Sequence, residues 1–282
     1  MNRRRFLTRL GIGGAGVAAV AVPGASYAAG VHVGETRLSG HYHASVRSGQ
    51  QRGHLNVWWS AGGPELTDKV LALTFDDGPT KQFTGEVLDV LERYDVPATF
   101  FLIGEMVNRR PDDVRRMLDA GHEVANHTFD HHSAAIQSPD QVRRTMELGA
   151  DAIASISGER PHWFRPVRGD VTGALMDAAH EIGHEVALWS VSRDPGTGPR
   201  TADDDVDAVR RNYVDAVHEG ALVIFHDGIG RSAFEVSGPD DRLLTQRRAE
   251  IDALPGVIEC YLADGYRLLT VTDLIDGYGR QR

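Results

Sequence analysis

From Lys69 onward the chain alternates short apolar runs with longer stretches in which apolar positions recur every three or four residues. The runs are VLALTF (70–75), ATFFLI (98–103), HEVAN (122–126), WFR (163–165), EVALWSV (185–191), ALVIFH (221–226) and YRLLTV (266–271). Each is short, and most are rich in β-branched or aromatic residues, as parallel strands buried on both faces are. Helix patterns lie between them. GEVLDVLERY puts Val87, Leu88 and Leu91 on one face. PDDVRRMLDAG opens with Pro111 and two acids and stops at Gly121, which is the start and stop chemistry of a helix. SPDQVRRTMELGADAIASISG has a Ser-Pro start at Ser138 and ends at Gly158. Seven strand patterns alternating with helices predict an α/β fold, an irregular (β/α) barrel with about seven parallel strands. An open dinucleotide-binding sheet fits less well, because no glycine fingerprint follows the first strand.

In a barrel, chemistry gathers at the carboxyl ends of the strands. Asp76 and Asp77 follow the first run, and His127 and His131 follow the third. Arg165 closes the fourth, Asp194 follows the fifth, and His226 and Asp227 close the sixth. Reactive residues at five strand ends are hard to explain as loop decoration. His127 and His131 in NHTFDHH stand four apart, so a helical turn would put both imidazoles on one face and within reach of one ion. Two histidines and a carboxylate make a three-ligand catalytic zinc set, which one of the two aspartates would complete. Adjacent carboxylates repel, and a cation held by Asp77 would offset that. Asp76 would then sit beside a water whose pKa the ion lowers. A metal-free turn explains Asp77-Gly78-Pro79 but leaves Asp76 without a purpose. His132 points elsewhere on such a turn and is read as structural.

The chain before residue 67 is less regular. Residues 29–66 hold scattered histidines, many Gly and Ser, and one apolar patch, LNVWWSAGG, and are expected to be a flexible lead-in. His41 and His43 lack a clustered third ligand. Residues 1–28 combine an arginine-rich start, an apolar run from Leu10 to Val22 and a small-residue end at Ala28. Arg3-Arg4-Arg5-Phe6-Leu7 is similar to a twin-arginine signal, which makes export with cleavage near Ala28 the expectation and an N-terminal anchor the alternative.

Composition narrows the classes. The 282 residues are 41% hydrophobic and 25% charged, enough for one large α/β domain, expected over 67–282. A formal charge of −10 argues against a nucleic-acid partner. Loss of residues 1–28, which carry four Arg and no acid, would take that charge to −14, as expected of a secreted, acidic monomer. Cys260 is the single cysteine, so no internal disulfide forms, and it reads as a buried, inert thiol.

The set TFDDGP, HTFDH, FRP and IFH, in that order over roughly residues 67–275, resembles the polysaccharide deacetylases of carbohydrate esterase family 4. The resemblance implies Asp76 as general base, Asp77, His127 and His131 as metal ligands, Arg165 as the group orienting the base and His226 as general acid. It implies zinc, although nitrogen and oxygen ligands also accept cobalt or another first-row ion. The implied reaction is removal of N-acetyl groups from N-acetylhexosamine residues of a polysaccharide, cell-wall peptidoglycan or chitin-like oligomers. Two departures bear on this. The third motif continues as RPVRGD, which costs the groove an aromatic wall and offers Arg168 to a substrate carboxylate. The fourth motif reads LWSVSRDPGTGP, with Ser192 where the family keeps an aspartate that holds the histidine charged; Asp194 and Asp227 are the substitutes available nearby in sequence. Trp163 and Trp189 either line the groove or pack in the core. A weakened His226 would favour esters, so an O-acetyl (xylan-type) esterase is the alternative. A catalytically weak glycan-binding relative is the other.

Overall fold

The computed structural model describes residues 44–47, 54–62, 66–194, 202, 204–234 and 240–280. The expected export signal, His41 and His43 lie outside them. A strand buried on both faces offers alternate residues to two different partners, and β3 (Val70–Asp76) does this throughout its length. Leu71, Leu73 and Phe75 join an outer cluster with the helix residues Val87, Leu88, Leu91, Val257 and Tyr261. Val70 and Ala72 join an inner one with Phe101, Ala125, Trp163, Ala187 and Leu222, one residue from each of five other strands. That inner cluster is the barrel's interior.

Chain order runs β3, α1 (Thr84–Tyr94), β4 (Thr99–Leu102), α2 (Gly104–Arg109), α3 (Pro111–Asp119), β5 (Glu123–Asn126), α4 (Pro139–Ser157) and β6 (Trp163–Phe164). It continues with α5 (Gly173–Ile182), β7 (Glu185–Ala187), α6 (Val206–Ala216), β8 (Ala221–His226), α7 (Asp241–Ala263), β9 (Arg267–Leu269) and α8 (Val271–Leu274). Two strands precede them, β1 (Ala44–Arg47) and β2 (His54–Trp58). The sheet order is β1-β2-β7-β6-β5-β4-β3-β8, with β9 also against β3, and every pairing except β1–β2 is parallel. The expected irregular (β/α) barrel is the fold observed. The helix signals act as read: Ser138 and Gln141 form a reciprocal capping box, and Gly158 ends α4 in the left-handed conformation.

Two differences from expectation shape the barrel wall. The run 185–191 is strand only to Ala187. Its remainder crosses to β8, where the Ser190 N–H bonds to Leu222 O (2.9 Å) and the Ile224 N–H to Val191 O (2.9 Å). The stretch expected to be a flexible lead-in also contributes strands: β2 pairs with β7, and beyond it the Ala61 N–H bonds to Gly220 O (2.8 Å). The cause is apolar, since Val57, Trp58, Trp59 and Ala61 are all buried. Cys260 is half-buried rather than buried, because it sits beside the inward positions Ile258 and Tyr261 on α7 instead of among them.

Glu185 fastens β2 to β7. Trp58 Nε1 donates to its Oε2 (2.8 Å) and Arg280 Nη2 to its Oε1 (2.9 Å). Burial works to raise the Glu185 pKa, but His162, Trp58 and Arg280 outweigh it and bring the carboxyl down to about 2. A depressed folded-state pKa gives stability that is present above the unfolded value of 4.5 and is lost as pH falls through about 2. Urea unfolding across that window should show wild type losing stability faster than Glu185→Gln. Parallel pH dependence in the two proteins would remove Glu185 from this role.

Candidate active site

Alternation inside the barrel decides which side chains meet at its mouth. Counting in twos from the inward Ala72, Ala125, Trp163 and Leu222 reaches Asp76, His127, Arg165 and His226 at the strand ends. Asp76 and His226 are also register partners across β3 and β8.

Arg165 is fully buried. Its Nε donates to Ala187 O (2.9 Å) and its Nη2 to Leu188 O (2.8 Å), so the last residue of β7 and the one after it hold two edges of the guanidinium. Its Nη1 reaches Thr74 Oγ1 (2.8 Å) and Asp76 Oδ1 (2.7 Å) on β3. The plane lies over the Phe101 ring, 3.9 Å from its centroid. Asp76, itself buried, is thereby fixed through one oxygen while Oδ2 stays 3.8 Å from His127 Nε2.

Asp77 leaves the strand with φ 77°, a left-handed conformation that turns its side chain away from that of Asp76. Its Oδ1 lies 2.8 Å from His131 Nε2 and 3.6 Å from His127 Nε2. Asp77, His127 and His131 each offer a ligand atom, all within 4.8 Å of one another, and could hold a metal ion. The donor chemistry fits. His127 Nδ1 donates to Arg165 O (2.7 Å), which leaves the Nε2 lone pair facing the group. Burial works to raise the Asp77 pKa, but His131 and His127 outweigh it and hold the carboxyl well below its ordinary value. Burial would lower the His127 pKa, but Asp76 and Asp77 raise it instead. Two imidazoles and a carboxylate already draw together around one point.

The histidine spacing works for a different reason than expected. Residues 128–133 are not helical: Thr128 has φ 69° and His131 φ 55°. Asn126 Oδ1 accepts the Thr128 N–H (3.0 Å), and Thr128 Oγ1 accepts the His131 N–H (3.0 Å). These bonds fold the loop back and bring the two rings to 5.1 Å between centroids. Gly149 on α4 makes room, since a Cβ there would stand 2.3 Å from Asn126 Oδ1.

His226 meets a residue that the sequence reading passed over. Glu250 Oε2 accepts the His226 backbone N–H (3.1 Å) and lies 3.0 Å from its Nδ1. Glu250 comes from α7, 24 residues further on, and is fully buried. Asp194 lies 3.8 Å from Arg193 Nε. Asp227 turns to Thr84, whose hydroxyl donates to its Oδ2 (2.5 Å), and burial pushes its pKa up to about 7. The sequence did hold a signal. Glu250 shares a helix face with the buried Leu254, Val257 and Tyr261, and Arg247 sits one turn before it. Of the remaining candidates, Arg168 is exposed with φ 61°, in the loop after Arg165. Trp189 is half-exposed beside Gly169 and 5.8 Å from the Arg165 guanidinium. Trp163 is core, its Nε1 bonded to Thr272 Oγ1 (2.8 Å).

A family model for polysaccharide deacetylases matches residues 63–187. Over 208 residues the chain is 33% identical to a peptidoglycan-N-acetylglucosamine deacetylase of Bacillus cereus, covering 74% of this chain and 89% of that protein. The chain belongs to the polysaccharide deacetylase family. It is also 38% identical over 157 residues to a chitooligosaccharide deacetylase of a Bradyrhizobium species, covering 55% of this chain and 69% of that one. The solved structure of a peptidoglycan N-acetylglucosamine deacetylase superimposes with a TM-score of 0.65 at 26% identity, covering 80% of this chain and 95% of that one. In this deacetylase no helix among the described residues is long and apolar enough to cross a membrane.

His127→Ala and Asp77→Asn should each reduce zinc retained after dialysis from stoichiometric to undetectable, measured by elemental analysis of protein whose circular dichroism is unchanged. Asp76→Asn should keep the ion. Full retention by His127→Ala would remove that residue from the ligand group.

Proposed function

We propose that this polysaccharide deacetylase is a zinc-dependent hydrolase that removes N-acetyl groups from N-acetylhexosamine residues of a glycan polymer, with cell-wall peptidoglycan the favoured substrate. The observation that carries the reading is the juxtaposition of the Asp77–His127–His131 group with the buried Asp76–Arg165 pair at the barrel mouth. Two imidazole nitrogens and a carboxylate suit zinc, and cobalt as a substitute. The relatives named for peptidoglycan and chitooligosaccharides support the substrate class. Arg3-Arg4-Arg5 and the apolar stretch behind it support export, which brings the enzyme to that polymer.

Asp77, His127 and His131 would hold a divalent ion, which would supply Lewis-acid polarisation of the acyl carbonyl and lower the pKa of water at the site. Asp76, held through one oxygen by Arg165, receives the proton of the attacking water on the other. The C–N bond then breaks as His226 delivers a proton from its ring nitrogen to the departing amine, which leaves acetate and a free amino sugar. In this reading a backbone N–H in the loop after Arg165 bonds the oxyanion. The carboxylate partner of His226 favours amides over esters, because an amine needs that proton more than an alcohol does. Arg168, exposed on the same loop, is available to a carboxylate on the glycan.

Acetate release from peptidoglycan and from N-acetylglucosamine oligomers by the zinc-loaded protein tests the reading. Release should vanish with a chelator, return with zinc, and fall by about 10² to 10⁴ in Asp76→Asn. Turnover of Asp76→Asn near wild type would overturn the base assignment, and no release from either substrate would overturn the function.

A further inference from the structure

We propose that Glu250, carried on α7, is the positioning residue of the proton donor His226, filling from a different element the place that Ser192 leaves without a carboxylate. The proposal rests on the reading of His226 as the acid and adds the group through which it is held. One oxygen of Glu250 meets both the main-chain N–H (3.1 Å) and the ring Nδ1 (3.0 Å) of His226. This double contact fixes the ring relative to its own backbone. It also directs the Nδ1 proton to Glu250, which leaves Nε2 as the nitrogen that serves the substrate. A fully buried carboxylate needs compensation, and here two guanidiniums give it. Arg247 Nη1 donates to Glu250 Oε1 (3.2 Å), and Arg193 Nη1 lies 3.7 Å from the same oxygen. Both arginines are anchored, Arg247 Nε to Gly228 O (2.8 Å) and Arg193 Nη1 to Gln246 O (2.9 Å). Glu250 therefore cannot swing away from His226 without giving up its contacts to two buried cations.

The arrangement reaches further. Arg247 Nη2 lies 3.5 Å from Asp77 Oδ2, so one guanidinium stands between the carboxylate of the metal group and the carboxylate of the acid. The order Asp77, Arg247, Glu250, His226 alternates in sign and crosses the mouth from β3 to β8 by way of α7.

The test separates the two claims by leaving group. Expulsion of an amine needs a proton, whereas 4-nitrophenolate leaves without one, so a lost proton donor shows on N-acetylglucosamine oligomers and is silent on 4-nitrophenyl acetate. In the zinc-loaded chain, Glu250→Gln should lower kcat on the oligomers about ten- to a hundredfold, the usual effect of removing an outer partner, with KM and ester hydrolysis little changed. Glu250→Asp should recover part of the loss, and His226→Ala should show the same selectivity with a larger drop. Parallel losses on both substrates, or full amide turnover in Glu250→Gln, would overturn the proposal while leaving the deacetylase reading intact. Independently of turnover, ¹⁵N-histidine-labelled wild type should show a downfield Nδ1 proton that is missing from His226→Gln. Its absence from wild type would overturn the bond itself, even if Glu250→Gln failed to fold. Oligomers untouched by wild type, with that proton present, would defeat the deacetylase reading and leave the positioning contact standing.

Discussion

A guanidinium with no exposed surface needs a partner at each nitrogen, and the mouth of this barrel is assembled around that demand at Arg165. Its contacts run to Thr74 and Asp76 on β3 and to two carbonyls at the end of β7, while its own carbonyl takes the His127 proton. One residue therefore sets the position of the proposed base, the tautomer of a candidate ligand and the approach of two strands on opposite sides of the interior. Breaking a buried pair of this kind typically costs about 3–5 kcal/mol, because the remaining charge is stranded. Geometry at the site and integrity of the wall are thus coupled through a single side chain.

The backbone around it carries strain in the same region. Among the described residues, Asp77, Thr128, His131 and Arg168 are four of the five non-glycine positions with positive φ, and the fifth, Asp95, only ends α1. Each such position costs on the order of 1–3 kcal/mol and persists where its surroundings dictate it. Thr128 is the most informative, since a β-branched residue has least reason to adopt that conformation. The Asn126 side chain and the close approach of Gly149 hold it there, and the result is two imidazoles turned toward Asp77.

How much of this was legible in the sequence follows from how locally each feature is determined. The strands from Val70 onward were readable because burial on both faces writes a continuous apolar run. The inward residues Asp76, His127, Arg165 and His226 then followed from the places where those runs end. β2 was not readable, since LNVWW lies among Gly and Ser and becomes a strand only because β7 offers it a partner. The spacing of His127 and His131 pointed to two neighbouring rings by way of a helical turn, whereas a non-helical loop brings them together. Glu250 was missed because a search near Ser192 considers neighbours in sequence, while the carboxylate that reaches His226 arrives on a helix three elements later. Its trace, an Arg247/Glu250 pair one turn apart on an apolar helix face, has meaning only when charge at an inward position is treated as a question in itself.

The wall between β7 and β8 is closed by two separate segments, residues 188–191 above and the end of β2 below. The family resemblance begins near residue 67, and a chain shortened to that point would keep every residue of the proposed catalytic set. It would nonetheless lose β2, leaving bare N–H and C=O groups along β7 and exposing apolar surface that Trp58 and Trp59 now cover. Open strand edges pair readily with other chains. The shortened enzyme would therefore face self-association at the β7 edge, and solubility would reveal what the first strands contribute.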